Sequence, residues 1–248
     1  MPVFASLLVA SGAVRIASLN LCADEYLLLL GGPQQIVSVS RVSQDREDSP
    51  LWQAARRYPA NDGSIEPVLK TRPTTILTMG GGGRSTALIA KRLGMTVVDL
   101  PYPTTVDDVA ATMAKVAAIT GNDAAYRSWK TRLSKLAEAP KPPVDTAFLG
   151  QSGLSVGTNS LPAQWMALAG YRQIALPGQR LTLERLATNP PPVLLRSTYR
   201  RSQQSLGTRW LDHPLVRNAR SKSVETDGRP WTCAGPLMVD EIEQLRRR

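Results

Sequence analysis

The chain has 248 residues, a net charge of +10 and an apolar fraction of 42%. That is enough for one large domain or two lobes of roughly 100 to 120 residues each. Two cysteines, Cys22 and Cys233, exclude a disulfide scaffold and a multi-cysteine zinc site, and the one histidine, His213, argues against a histidine-based metal centre. The positive charge is spread over pairs such as Arg56-Arg57, Lys91-Arg92 and Arg200-Arg201 without interleaved aromatics. It therefore reads as a solvated basic surface, and no nucleic-acid partner is expected.

Residues 1–13 (M-P-V-F-A-S-L-L-V-A-S-G-A) form an apolar stretch that ends in small residues, the form of a signal or leader remnant, although no basic residue precedes Arg15. The stretch is too short to span a membrane. Residues 15–20 (R-I-A-S-L-N) read as a first strand, and 24–30 as an apolar helix ended by Gly31-Gly32. Residues 36–40 (I-V-S-V-S) read as a second strand, and 41–61 as a polar segment with a helical middle at 51–58. A third strand at 75–79 is followed by Gly80 to Gly83, a helix at 85–93 and a fourth strand at 95–100. Short apolar strands alternating with helices predict a parallel α/β lobe over residues 14–121.

A helical stripe of Val109, Met113, Val116 and Ala117 marks a helix at 106–120, broken by Gly121-Asn122. Residues 123–139 carry Tyr126, Trp129, Leu133 and Leu136 at helical spacing and are followed by Pro140, Pro142 and Pro143. Residues 122–143 are read as the link between lobes. The second lobe, 144–248, restarts with a strand at 145–150, a helix at 161–168, strands at 193–196 and 222–225, and a C-terminal helix at 236–248.

One phrase occurs twice. Glu66 precedes Pro73 by seven residues and then the apolar pair Ile76-Leu77; Glu184 precedes Pro191 by seven and then Leu194-Leu195. Each copy predicts a short helix with Glu near its start, a proline break and a buried strand. A unit repeated once, 118 residues apart, indicates two similar lobes, not a solenoid. Two lobes enclose a cleft, the usual place for a small ligand.

The segment R-I-A-S-L-N-L-C-A-D-E-Y-L-L-L-L-G, the phrase E-x-x-L-x-x-x-P-x-x-I-L at Glu66, the helix at 107–120 and the ending G-R-P-W-T-C-A-G-P-L together resemble class III periplasmic binding proteins. These serve ABC importers of vitamin B12, iron-siderophores and haem. The order of motifs covers nearly the whole chain and is closest to the cobalamin-binding branch; Thr74 replaces the family's usual Asp. The resemblance implies two α/β lobes joined by a single long helix, and a monomer in the periplasm. It implies that a bulky chelate, cobalamin first and then a ferric siderophore or haem, is captured between the lobes and delivered to an ABC permease dimer. It implies neither catalysis nor a resident cofactor. It also places Glu66 and Glu184 where the family carries one surface carboxylate per lobe to dock on permease arginines, a geometry that suits a two-fold partner. The alternative role is stabilisation of a helix N-terminus.

Loops at the carboxyl ends of parallel strands line the cleft in such an architecture. They select Asn20, Leu21 and Cys22, Arg41 and Ser43, Gln151 and Ser152, Thr198 and Tyr199, and the stretch from Trp231 to Cys233. Trp231 is the foremost candidate, since a flat apolar face suits a corrin or aromatic chelate; its alternative is core packing. Gly80 to Gly83 lacks the spacing of a phosphate loop, so Gly81 and Gly82 read as backbone kept bare for a large ligand, with Arg84 beside it. Cys22 and Cys233 fall one per lobe and either bridge or remain two packed thiols. His213, before a proline, reads as a turn or capping residue. The rival function, a Rossmann-like enzyme acting on a nucleotide or cofactor, would need a phosphate loop and a general base that the sequence does not display.

Overall fold

The computed structural model describes residues 14–139, 141–200, 202–203 and 205–248. The leader segment 1–13 lies outside the described residues.

The first lobe runs β1 (Ile16–Ser18), α1 (Leu21–Leu30), β2 (Ile36–Ser40), α2 (Trp52–Ala55), β3 (Ala60–Asn61), α3 (Ile65–Lys70), β4 (Thr75–Met79), α4 (Arg84–Arg92) and β5 (Thr96–Leu100). Its five strands lie in the order β3-β2-β1-β4-β5, all parallel. Two helices follow, α5 (Val106–Thr120) and α6 (Asp123–Glu138). The second lobe runs β6 (Val144–Leu149), α7 (Leu161–Leu168), β7 (Tyr171–Gln173), α8 (Leu183–Thr188), β8 (Val193–Ser197), α9 (Leu206–Leu211), α10 (Pro214–Arg217), β9 (Lys222–Thr226), α11 (Gly228–Cys233) and α12 (Met238–Arg246). Its parallel sheet has the order β7-β6-β8-β9. The two sheets share one topology, second strand, first, third, fourth, and the first lobe adds β3 at its edge.

The repeated phrase explains this equivalence. In each lobe the strand after the proline pairs with the lobe's first strand: Ile16 is in register with Thr75, and Thr146 with Val193. Thr74 serves the same join, its Oγ1 accepting from Arg15 N at 3.0 Å. Short β3 and β7 were not expected, because two- and three-residue strands carry too little alternation to register in a sequence pattern.

Three apolar clusters sort the layers. Ala17, Val37, Ile65, Val68 and Ile76 pack α3 and α4 on the outer face of the first sheet. Ala147, Leu149, Leu186, Leu194 and Val216 do the same for α8 and α10 on the second. The inner faces share a single core drawn from both lobes, including Tyr26, Leu27, Met113, Trp129, Phe148, Trp165 and Met238.

The junction is the long helix α6, as the resemblance implies, packed beside α5 of the first lobe. A capping box between Thr105 and Asp108 starts α5, and Gly121 (φ 72°) ends it in the left-handed conformation that glycine tolerates. Asn122 then caps α6 and donates to Leu30 O at 3.0 Å. The chain thereby reverses at the base of the first lobe, and α6 carries it to the second. There Trp129 Nε1 donates to Pro236 O at 2.9 Å, and Arg132 pairs with Asp240 and Glu243 of α12.

Candidate functional site

The carboxyl ends of both sheets meet at the boundary between lobes, where parallel strands place their ligand loops. The loop after β2 reaches the loop after β8 there. Asp48, with its side chain 5% exposed, accepts from Tyr199 Oη at 2.6 Å and from Arg200 Nε and Nη2 at 2.8 Å each. Burial pushes the Asp48 carboxyl up, but Arg200 and Tyr199 outweigh it and hold it below its ordinary value. Beside it, Arg229 donates to Arg46 O at 2.9 Å while its guanidinium is also paired with Asp227. These contacts frame a cavity of about 460 Å³, lined by Arg46 and Glu47 of the first lobe and by Thr198, Arg200, Asp227 and Arg229 of the second, among others. Its wall is polar and carries both signs, Arg46, Arg200, Arg229 and Arg248 beside Glu47, Glu225 and Asp227, so it suits a ligand with polar and charged groups.

The expected site residues divide. Tyr199 lies at the boundary and bonds across it, and Thr198 lines the cavity. Cys22 and Cys233 form a disulfide with Cα atoms 5.4 Å apart, which settles the open alternative in favour of a covalent tie between lobes. Leu21 opens α1, and Arg41 is exposed at the start of a 3-10 turn.

Others take structural places. Trp231 is in the core, not on the cleft wall: its ring lies 5.1 Å from Phe148 and its Nε1 donates to Thr226 Oγ1 at 2.8 Å. The loop after β9 folds at once into α11, and this turns the indole inward. Asn20 is the N-cap of α1, accepting from Ala23 N at 3.0 Å, and its amide donates to Met79 O at 3.0 Å. Its side-chain oxygen thus caps α1 and its amide nitrogen joins the ends of β1 and β4. Gly82 is bare for the same reason, since a Cβ there would sit 2.5 Å from Asn20 Nδ2. Its small size makes room for a side chain of the protein rather than for a ligand. Ser43 is buried and donates to Ser40 O at 2.8 Å. Gly81 and Arg84 line a separate groove of about 220 Å³ between α4 and β5, with Leu88, Lys91 and Val97, all within the first lobe. Gln151 and Ser152 pack on Gly207 of α9 within the second lobe. His213 caps α10, its Nδ1 accepting from Leu215 N at 3.2 Å, as the capping reading expects.

Glu66 and Glu184 occupy the second position of α3 and α8, both six-residue helices, and both are exposed. The sequence reading missed Asp48, Arg46 and Arg229. Arg46 and Asp48 sit in a loop and Arg229 in the first turn of α11, and their partners in the other lobe are roughly 150 or more residues away in the chain.

Beneath the boundary lies an unusual buried trio on α1. Asp24, Glu25 and Tyr26 are buried, and Asp24 Oδ1, Glu25 Oε2 and Tyr26 Oη find no protein hydrogen-bond partner among the described residues. Burial pushes Asp24 up to about 6, partly offset by the Ser18, Ser40 and Ser43 hydroxyls. Burial, and then the Asp24 charge, push Glu25 well above its ordinary value. Among the described residues no group of three or more His, Cys, Asp or Glu side chains could hold a metal ion. No helix of the described residues is long and apolar enough to cross a membrane.

A family model described as periplasmic binding protein matches residues 16–205. No curated protein matches the chain. Solved structures do. The periplasmic haem-binding protein of Vibrio cholerae superimposes with a TM-score of 0.73 at 21% identity, covering 95% of this chain and 98% of that one. The periplasmic haem-binding protein of Roseiflexus sp. RS-1, in apo form, gives 0.68 at 19%, covering 95% and 97%. The periplasmic vitamin B12-binding protein of Vibrio cholerae gives 0.63 at 19%, covering 94% and 95%. At these identities the likeness establishes the fold alone. It does not single out the cobalamin branch, to which the sequence motifs looked closest.

Proposed function

We propose, since the chain belongs to the periplasmic binding protein family, that it is the solute-binding component of an ABC importer, acting in the periplasm. It captures a bulky metal chelate between its lobes and hands it to a permease dimer in the inner membrane. The observation that carries this reading is the polar, charged cavity at the facing carboxyl ends of two equivalent parallel sheets. Haem, a ferric siderophore and a corrinoid stand level as cargo. The solved structures of like fold include haem- and B12-binding proteins, and the polar wall suits cargo with polar or charged substituents. Glu66 and Glu184, exposed at equivalent helix starts, are the proposed docking pair. Members of this family are binding proteins, and the Rossmann-like enzyme alternative finds no support.

The test is co-elution. The protein is mixed with haemin, cyanocobalamin or ferric desferrioxamine and passed over a sizing column, and the absorption spectrum of the protein peak is read. One chelate should travel with the protein chemically unchanged. Failure of all three to co-elute, or recovery of an altered chelate with turnover, contradicts the reading.

A further inference from the structure

The two lobes are tied at two points of opposite character. Cys22–Cys233 is covalent and leaves from the start of α1 to the end of α11. The second tie is polar and lies on surface loops. Asp48 receives three hydrogen bonds from Tyr199 and Arg200, and Arg229 reaches across to Arg46 O. Arg200 adopts φ 46°, the left-handed region that a non-glycine residue rarely visits unless its surroundings impose it. Its carbonyl accepts from Gln203 N at 3.0 Å in a surface turn, and its guanidinium is fixed on Asp48. The same Arg200 lines the cavity. Arg200 is thus bonded across the boundary by its side chain while it faces the cavity.

We propose that the Asp48–Tyr199–Arg200 cluster is a latch that holds the cleft shut at this edge, while the disulfide acts as the permanent pivot. This rests on the reading of the boundary as the ligand cleft. Entry of cargo requires Arg200 to leave Asp48, and an incoming acidic group can take the carboxylate's place on the guanidinium. The lobes therefore part by release of the Asp48–Arg200 ion pair, the Tyr199 hydrogen bond and the bonds from Arg229 to the Arg46 and Ser49 carbonyls, without disturbing the shared core. Small opening motions of this kind are what a helix-joined pair of lobes permits.

The experiment measures the distance between lobes without any ligand. Spin labels are attached through ketone-bearing residues placed at the exposed Lys70 and Thr188, so that the native disulfide stays intact. Double electron–electron resonance should give a narrow distribution for the otherwise native protein. Asp48→Asn should add a longer, broader population, and so should Arg200→Gln, which removes the other half of the pair should the first variant fail to fold. Tyr199→Phe should produce a smaller shift in the same direction. The on-rate of haemin, read by stopped flow, should rise by about tenfold in Asp48→Asn, as expected if the open form grows from about a tenth to most of the population. Distributions that coincide in folded Asp48→Asn, Arg200→Gln and parent proteins overturn the latch. A longer population in both variants with no haemin binding in any protein supports the latch and counts against haem as cargo.

Discussion

The boundary between lobes has a dry side and a wet side, built from different chemistry. On the dry side, α1, α5, α6, α7 and α12 share one apolar core, stitched by Trp129 to Pro236 O, Trp165 to Ala234 O and the Cys22–Cys233 disulfide. On the wet side, loops meet through Asp48, Tyr199, Arg200 and Arg229 around a polar cavity. Burial of apolar surface is non-directional and is lost only when the core is exposed, whereas a part-exposed ion pair competes with water and with other ions. The difference teaches which edge can move: the dry side fixes where the lobes are joined, and the wet side can exchange its partners for a ligand.

The largest expected effect breaks the dry side. Trp165 is fully buried and bridges α7 to the loop before α12. Trp165→Ala should lower the unfolding free energy by about 3–5 kcal/mol through the cavity and the orphaned carbonyl, measured by denaturant melts. Trp231→Ala should behave in kind, destabilising the second lobe, because that indole packs on Phe148. A Trp231→Ala protein with native stability and weakened chelate binding would return the side chain to the cleft.

Removal of the disulfide comes next. Cys22 and Cys233 are 211 residues apart, so the bridge restrains a long loop in the unfolded chain. The Cys22→Ala/Cys233→Ala variant should be less stable by about 2–5 kcal/mol. It should keep its near-ultraviolet circular dichroism, because the shared core continues to hold the lobes together.

A pH series sharpens the comparison, since the two sides carry carboxylates shifted in opposite directions. Asp24, beneath the dry side, is raised to about 6 in the folded protein against 3.8 ordinarily. The folded state then binds its proton more tightly than the unfolded state, so its contribution to stability is lost as pH rises between these values. The loss amounts to about 3 kcal/mol at neutral pH for this one group. Glu25, also raised, extends the same trend to higher pH. Asp48, on the wet side, is lowered, so its contribution is present above the ordinary carboxylate range and fades in stronger acid. Native protein minus Asp24→Asn, compared by thermal melts from pH 4 to pH 8, should show the native chain losing ground as pH rises. A flat difference would mean that Asp24 titrates normally.

The smallest effect concerns the rim of each lobe. Glu66→Arg and Glu184→Arg should shift stability by no more than about 0.5 kcal/mol and leave chelate affinity unchanged, because both side chains are exposed. Together they should slow association with the cognate permease, less so at high salt.

The pattern of what could be read in advance follows from the range of the interactions. The repeated phrase around Glu66 and Glu184 was legible because helix start, proline and buried strand all lie within a dozen residues. The structure places the two phrases at equivalent positions in two sheets of one topology. The parallel sheets were legible for the same local reason. Trp231 was misplaced because a rule about strand ends says where a loop emerges, not which way it folds, and burial against Phe148 is set by a strand more than 80 residues earlier. Asn20 and Gly82 looked like two ligand-loop features and are one contact, each explaining the other. Asp48 carried no signal, since its loop is polar throughout and its partner is 152 residues away. The cysteines could be weighed but not decided, because a bridge depends on a Cα separation that only the assembled lobes provide.

The most direct measurement of the account is native-state hydrogen exchange on the protein alone, resolved by peptide. Amides of α1, α5 and α6 should exchange only at the rate of global unfolding, while those of 45–51 and 198–200 exchange far faster through local opening of the wet side, with the disulfide intact. Equal, slow exchange in both regions would contradict the division of the boundary into a permanent joint and a releasable edge.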